Sequence, residues 1–212
     1  WLQDFYWYLT GDYDRIFATC SGAARQIGGD RRSLIHTYAL LAAGRHERVD
    51  RLLQEHYERL AHEGHFSRRH SNQAVVHHEL RTAWCLAEGR LAEARQALRR
   101  CNAAAEDPHG YLALQLARAV AIELADRNPQ RARANLELLD PAGSRGDCLM
   151  AWCRLLLLEG DRSAAAQRFA RARARAGGGY LAHQLRFAHE LGAADAVWLC
   201  QQDRSVESAA LA

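Results

Sequence analysis

"GDRSAAAQRF", residues 160–169, opens with a glycine and a capping aspartate and runs on through small and apolar residues. Read alone, it is a turn and the start of a helix. Glycine ends one helix in the left-handed conformation that other residues adopt at a cost, and Asp161 caps the next. The segment decides the fold because its pattern recurs. "GDYDRIFATC" starts at Gly11, "GRHERVDRLL" at Gly44, "GRLAEARQAL" at Gly89 and "RNPQRARANL" at Arg127, with a looser "GAADAVWLCQ" at Gly192. Successive starts lie 33, 45, 38, 33 and 32 residues apart, the period of stacked helical hairpins.

Fixed offsets carry the pattern further. Five residues beyond the starts stand Ile16, Val49, Ala94, Ala132, Ala165 and Val197; nine beyond stand Cys20, Leu53, Leu98, Leu136, Phe169 and Gln201. The two offsets differ by about one helical turn, so each pair shares a face. Leu98, Leu136 and Phe169 are expected to be buried at equivalent places. Upstream of the turns, Leu34, Tyr38 and Leu41, then Val76, Leu80, Ala83 and Trp84, then Leu149, Trp152 and Leu156 repeat at spacings of three and four, marking amphipathic helices. Asp12 and Asn128 are further caps, and Pro129 suits a first turn. Strand signals are nearly absent. The fold expected is all-α: one domain over 1–212, a right-handed α-solenoid of stacked antiparallel helix pairs in about five and a half units.

The chain resembles the tetratricopeptide repeat family at Gly11, Tyr13 and Ala23, at Gly89, Leu91, Ala94 and Leu98, and at Gly160, Ala165, Phe169 and Ala172. It departs from that family in lacking the proline that closes the second helix. The resemblance implies that the first helix of each pair lines a binding groove. Candidate groove residues on that basis are Tyr38, Asn72, Gln73, His77, Arg81, Gln115, Arg118 and Arg154. In architecture and composition the chain also resembles the helical-repeat region of large bacterial transcriptional regulators of the maltose-activator-like and sigma-54-activator groups. That implies a cytoplasmic sensor or scaffold and flanking domains in the same protein.

Two segments interrupt the period: "HEGHFSRRHSNQ", 62–73, polar and rich in histidine, and "LDPAGSRGD", 139–147. Chemistry is sought first among the eleven histidines. A zinc-protease helix needs a second histidine one turn after His-Glu. The four His-Glu pairs begin at His46, His62, His78 and His189, and are followed at that distance by Asp50, Phe66, Thr82 and Ala193. His62, His65, His70, His77 and His78 are near in sequence but irregularly spaced. There is no nucleophile elbow, and "GGG" at 177–179 lacks the Lys-Ser/Thr of a phosphate loop and reads as a helix terminator. The six cysteines, Cys20, Cys85, Cys101, Cys148, Cys153 and Cys200, have no Cys-x-x-Cys pair and sit among alanines and leucines, as small buried thiols do. No metal, no cofactor and no enzymatic activity are expected.

With 49% apolar and 25% charged residues and a net charge of +3, the chain has the composition of a globular protein without a global polyanion-binding field. Its 28 basic residues are all arginine, which reads as coding bias. No apolar run approaches the roughly 18–20 residues of a membrane span. Arg95, Arg99 and Arg100, then Arg131 and Arg133, then Arg168, Arg171, Arg173 and Arg175 fall on second helices, where stacking would align them as a basic stripe. No stacking aromatics interleave with it, which argues against nucleic acid as the partner. The opening "WLQDFYWYL" is apolar all round, so a helix packed on a preceding element is expected, or a surface for self-association as a homodimer. The reading is a non-catalytic module for a protein, peptide or other ligand in signalling or transcriptional regulation. A secretion or assembly scaffold and a nucleic-acid-binding repeat using the arginine stripe are the alternatives.

Overall fold

The computed structural model describes residues 2–19, 31–68, 71–105, 108–143 and 148–175. Among them are ten α-helices, one 3-10 turn and no strand. The helices are α1 (Leu2–Thr10), α2 (Tyr13–Thr19), α3 (Arg31–Ala42), α4 (His46–His62), α5 (Asn72–Ala87), α6 (Leu91–Ala104), α7 (Pro108–Ala125), α8 (Pro129–Leu139), α9 (Leu149–Leu158) and α10 (Arg162–Arg175); the 3-10 turn, His65–Ser67, follows α4. The sixth repeat start at Gly192, the glycines at 177–179, Cys20 and Cys200 lie outside the described residues.

Every described repeat start is a left-handed turn between helices. Gly11, Gly44, Gly89 and Gly160 have φ between +67° and +84°, and Arg127 takes the same region at +54°. The backbone bonding is the same each time. At Gly89 the amide donates to the Leu86 carbonyl at 3.0 Å, and the Arg90 amide to that of Cys85 at 2.8 Å. At Arg127 the partners are Leu124 at 3.2 Å and, from Asn128, Glu123 at 2.9 Å. This is the Schellman arrangement, which satisfies carbonyls the ending helix leaves without partners. The next helix starts at once. Asn128 accepts from the Arg131 amide at 3.2 Å and Asp161 from that of Ala164 at 2.9 Å. Asp12 pairs with Arg15 at 3.1 Å.

Behind the turns the repeat pattern becomes core. Ile16, Val49, Ala94, Ala132 and Ala165 are all fully buried, at 0% exposure. Leu53, Leu136 and Phe169 are buried one turn on, but Leu98 is only half-buried, against expectation. The inward face of α6 is Ala94, Ala97 and Cys101, all small residues, and α6 packs on α5 through them. Leu98 lies at the edge of that face.

The chain forms two compact units, Trp1–Gln115 and Leu116–Ala212. In the first, α5 packs against α3, α4 and α6, and α1, α2 and α3 pack on one another. In the second, one core joins Val120 and Leu124 of α7, Leu136 of α8, and Trp152 and Leu155 of α9, and α10 packs on α9. Asp140 is buried there and accepts from the Trp152 indole at 3.0 Å, so neither polar group is left unsatisfied.

Cys85, Cys101, Cys148 and Cys153 are buried and form no disulfide. Burial pushes Cys153 up to about 12, so it stays a protonated, unreactive group. In α1, Tyr6 is exposed while Asp4 is buried and Tyr8 lies against the rings of Tyr13 and Tyr38. The helix is therefore two-sided at those positions, not buried all round.

Two substitutions test the turns and a third the core. Arg127→Gly is expected to stabilise the fold by about 0.5–1 kcal/mol, because a left-handed backbone suits glycine. Gly89→Ala is expected to destabilise it by about 1 kcal/mol, although open space surrounds the added methyl. Urea unfolding of both variants gives the signs; equal signs would refute the turn assignment. Phe169→Ala is expected to cost about 3–5 kcal/mol; a loss under about 1 kcal/mol in the same measurement would contradict its place in the core.

Candidate functional site

The segment that lengthens the second repeat spacing folds into a wall. After α4, Gly64 turns the chain with φ +71° into the 3-10 turn. His65 and Phe66 then lie back toward α4 and α5. The end of the segment is tied at Ser71 in three ways. Its amide donates to the Ala104 carbonyl at 3.2 Å, its hydroxyl accepts from the Ala74 amide at 3.3 Å, and that hydroxyl is 3.1 Å from His65 Nδ1. The other ring nitrogen of His65 is 3.2 Å from the Glu63 carboxylate. A residue that caps α5 thus also joins the insert to the end of α6.

Between this wall and the helices is a cleft of about 380 Å³. Tyr57 of α4 and Phe66 form one side, with ring centroids 5.0 Å apart and planes 31° apart. Ala74, Ala103 and Ala104 contribute small side chains, which leave the space open. Polar lining comes from His65, Arg68, His78 and Arg100.

Behind the cleft, the imidazoles of His56 and His77 pack with the two aromatic rings and with His78 of the lining. His77 is central, with ring centroids 5.3 Å from His56, 5.7 Å from Tyr57, 5.6 Å from Phe66 and 5.3 Å from His78. All three are buried, His77 at 1% exposure. Burial is the main cause that keeps them uncharged. It pushes His77 down to about 3, helped by the neighbouring His78, His56 and Arg81. His56 falls to about 4, by burial and then Arg59, and His78 to about 4, by burial and then Arg100 and Arg81. His36, elsewhere in this unit, falls to about 4 through burial, Arg48 and Arg45. These are neutral rings at neutral pH, each with one donor and one acceptor nitrogen.

The eight groove candidates fall in several places, and none lines the cleft. His77 and Gln73 come together with His56, just behind it. Tyr38 donates to the buried Glu79 carboxylate, Arg81 lies 5.8 Å from the Trp84 ring centroid, and Asn72 is exposed at the start of α5. Gln115 is buried at the end of the first unit; in the second, Arg118 is half-buried and Arg154 buried. Tyr57, Phe66, Ala103 and Ala104 lie outside the first helices that the groove rule covers, whereas Ala74 and His78 stand on one, α5. The signal that finds them is the interruption of the period, with an aromatic and arginines inside it.

The stripe arginines also differ among themselves. Arg99, Arg131 and Arg171 are exposed and Arg95 is half-buried; the side chain of Arg175 lies outside the described residues. Arg168 turns inward, 4.8 Å over the Trp152 ring, and donates to the Gly143 carbonyl at 3.2 Å. Arg133, on the preceding second helix, makes two bonds to the Glu159 carboxylate at 3.0 and 2.6 Å. His46 pairs with Glu88, not with Asp50. Among the described residues no three His, Cys, Asp or Glu side chains converge as a metal-holding group, and no helix is long and apolar enough to cross a membrane.

No family model, curated protein or solved structure matches the chain.

The buried histidines set a pH dependence. Unfolding returns them to about 6.5, so below that pH the unfolded chain binds more protons than the folded one. Their neutral burial is harmless above about 6.5, and stability falls as pH drops from there toward about 4, by up to ~1.4 kcal/mol per group per pH unit. Urea midpoints should decrease between pH 6.5 and 5.5, before most carboxylates titrate. His77→Phe should flatten that slope; an unchanged slope would remove His77 as a contributor.

Proposed function

We propose that the chain is a non-catalytic interaction module, a tetratricopeptide-like right-handed solenoid of helical hairpins, and that the cleft of its first unit receives a ligand. A sensor or scaffold region of a bacterial signalling or transcriptional regulator is the setting this reading favours. One observation carries it: the segment that breaks the repeat period is the segment that builds the cleft wall. A loop inserted in a regular scaffold and tied down at both ends is where binding sites are commonly placed. The lining suits recognition. Aromatic rings offer faces for stacking, guanidinium groups offer paired donors, and small residues leave volume in the range of ligand pockets.

A thermal-shift screen of peptides and small molecules tests this, with each bound compound recovered and analysed by mass spectrometry. A ligand at about a hundred times its Kd should add about 2.7 kcal/mol of stability. Ala103→Trp, which fills the cleft from an exposed position, should abolish the shift, and the ligand should return unchanged. Ligands indifferent to the tryptophan would place binding elsewhere, and a chemically altered ligand would make the chain an enzyme.

A further inference from the structure

The cleft's lining has a sign and a shape. It carries two guanidinium groups, Arg68 and Arg100, two imidazoles and a phenol, and no carboxylate. No described acid forms an ion pair with Arg100, and Arg100 is the strongest charge acting on His78. That puts an arginine and an imidazole together on the α5–α6 side, opposite no neutralising group of the lining.

His78 adds a polar ring to that side of the lining. It is 8% exposed, its side chain lines the cleft, and its Nδ1 is buried without a hydrogen-bond partner. The same holds for His56 and His77 behind it, so that nitrogen belongs to the buried cluster, and what His78 offers the cleft is a polar ring beside the Arg100 guanidinium. A neutral imidazole can donate one N–H to a group in the cleft. The apolar part of the ligand is set by the other side. Phe66 and Tyr57 present rings, Phe66 lies 5.5 Å from His78, and the three alanines keep a slot beside them. Aliphatic chains would fill such a slot, but a flat ring also gains the offset stacking that these rings offer. The volume, about 380 Å³, is near the lower end of ligand pockets and holds a ring system with one acidic group, not a folded domain.

We propose that this cleft binds a small aromatic acid, its ring lying between the Tyr57–Phe66 wall and the alanines and its anionic group held by Arg100 and His78, with Arg68 at the rim. This rests on the reading of the cleft as a binding site and adds the chemistry of what occupies it. The guanidinium supplies two donors in a fork that matches a carboxylate, and the imidazole supplies a third beside it.

The probes are 1-naphthoate, its uncharged counterpart 1-naphthamide, and acetate, titrated into the full chain and followed by calorimetry and by NMR of the histidine and tyrosine rings. Naphthoate is expected to bind with a Kd on the order of 0.1–1 mM, shifting His78 and Tyr57 signals. Naphthamide should bind at least about tenfold more weakly, and acetate should leave the aromatic signals unmoved. Arg100→Gln, at an exposed position on α6, should weaken naphthoate about tenfold or more and leave naphthamide unchanged. Ala103→Trp should block both. Equal affinity for naphthoate and naphthamide, both lost in Ala103→Trp, would overturn the acid but keep the binding site. No naphthoate-induced shift at His78 or Tyr57 up to about ten times the expected Kd, or full naphthoate affinity in Arg100→Gln, would also overturn the inference.

Discussion

The left-handed residue at each hairpin turn is the constraint on which the described fold depends. It ends one helix, directs two backbone amides onto carbonyls of the helix just finished, and lets the next helix begin within one or two residues. A turn this short leaves the two helices no alternative to lying against each other. The fully buried residue five positions later is its consequence, since the second helix can present only one face to the first. Where glycine is absent, Arg127 still adopts the conformation, which means the packing of α7, α8 and α9 around Leu136 holds the turn against its local preference.

Burial is used economically in the first unit. Ala94, Ala97 and Cys101 let α6 approach α5 closely, and the space beyond this contact, near Ala103 and Ala104, is bordered by Tyr57 of α4 and by the insert. The cleft is bounded by small residues of α5 and α6 on one side and by Tyr57 and the insert on the other. Ser71 holds that loop, by a cap on α5 and a bond to the end of α6.

The ionisable residues are sorted by burial more than by type. Histidines inside the first unit are stripped of water and kept neutral by burial, with arginines at hand to oppose protonation. Arginines in the second unit follow two courses. Arg168 and Arg133 lie over Trp152 and bond to a carbonyl and a carboxylate, while Arg131 and Arg171 face solvent. Spacing alone assigned these arginines to one stripe, since it records which side of a helix a residue occupies but not where a long side chain turns its head.

The sequence by itself determined the local events. Glycine with a capping residue marks where helices stop and start, and apolar spacing marks which face goes inward; both depend on neighbours within one or two turns, so Gly44, Gly89 and Gly160 and the buried Val49, Ala94 and Ala165 were legible. The interruption at 62–73 was legible too, as a break in period. Only tertiary structure decided what that break made. Tyr57, Phe66, His78 and Arg100 come from three helices' worth of sequence, and their meeting depends on how the helices pack and where the loop is tied. The same holds for Leu98, half-buried because packing turns Ala94, Ala97 and Cys101 of α6 inward. Helix periodicity fixes a direction around one axis, whereas a site is set by distances between several, and those distances come from side-chain volumes at contacts far apart in the chain.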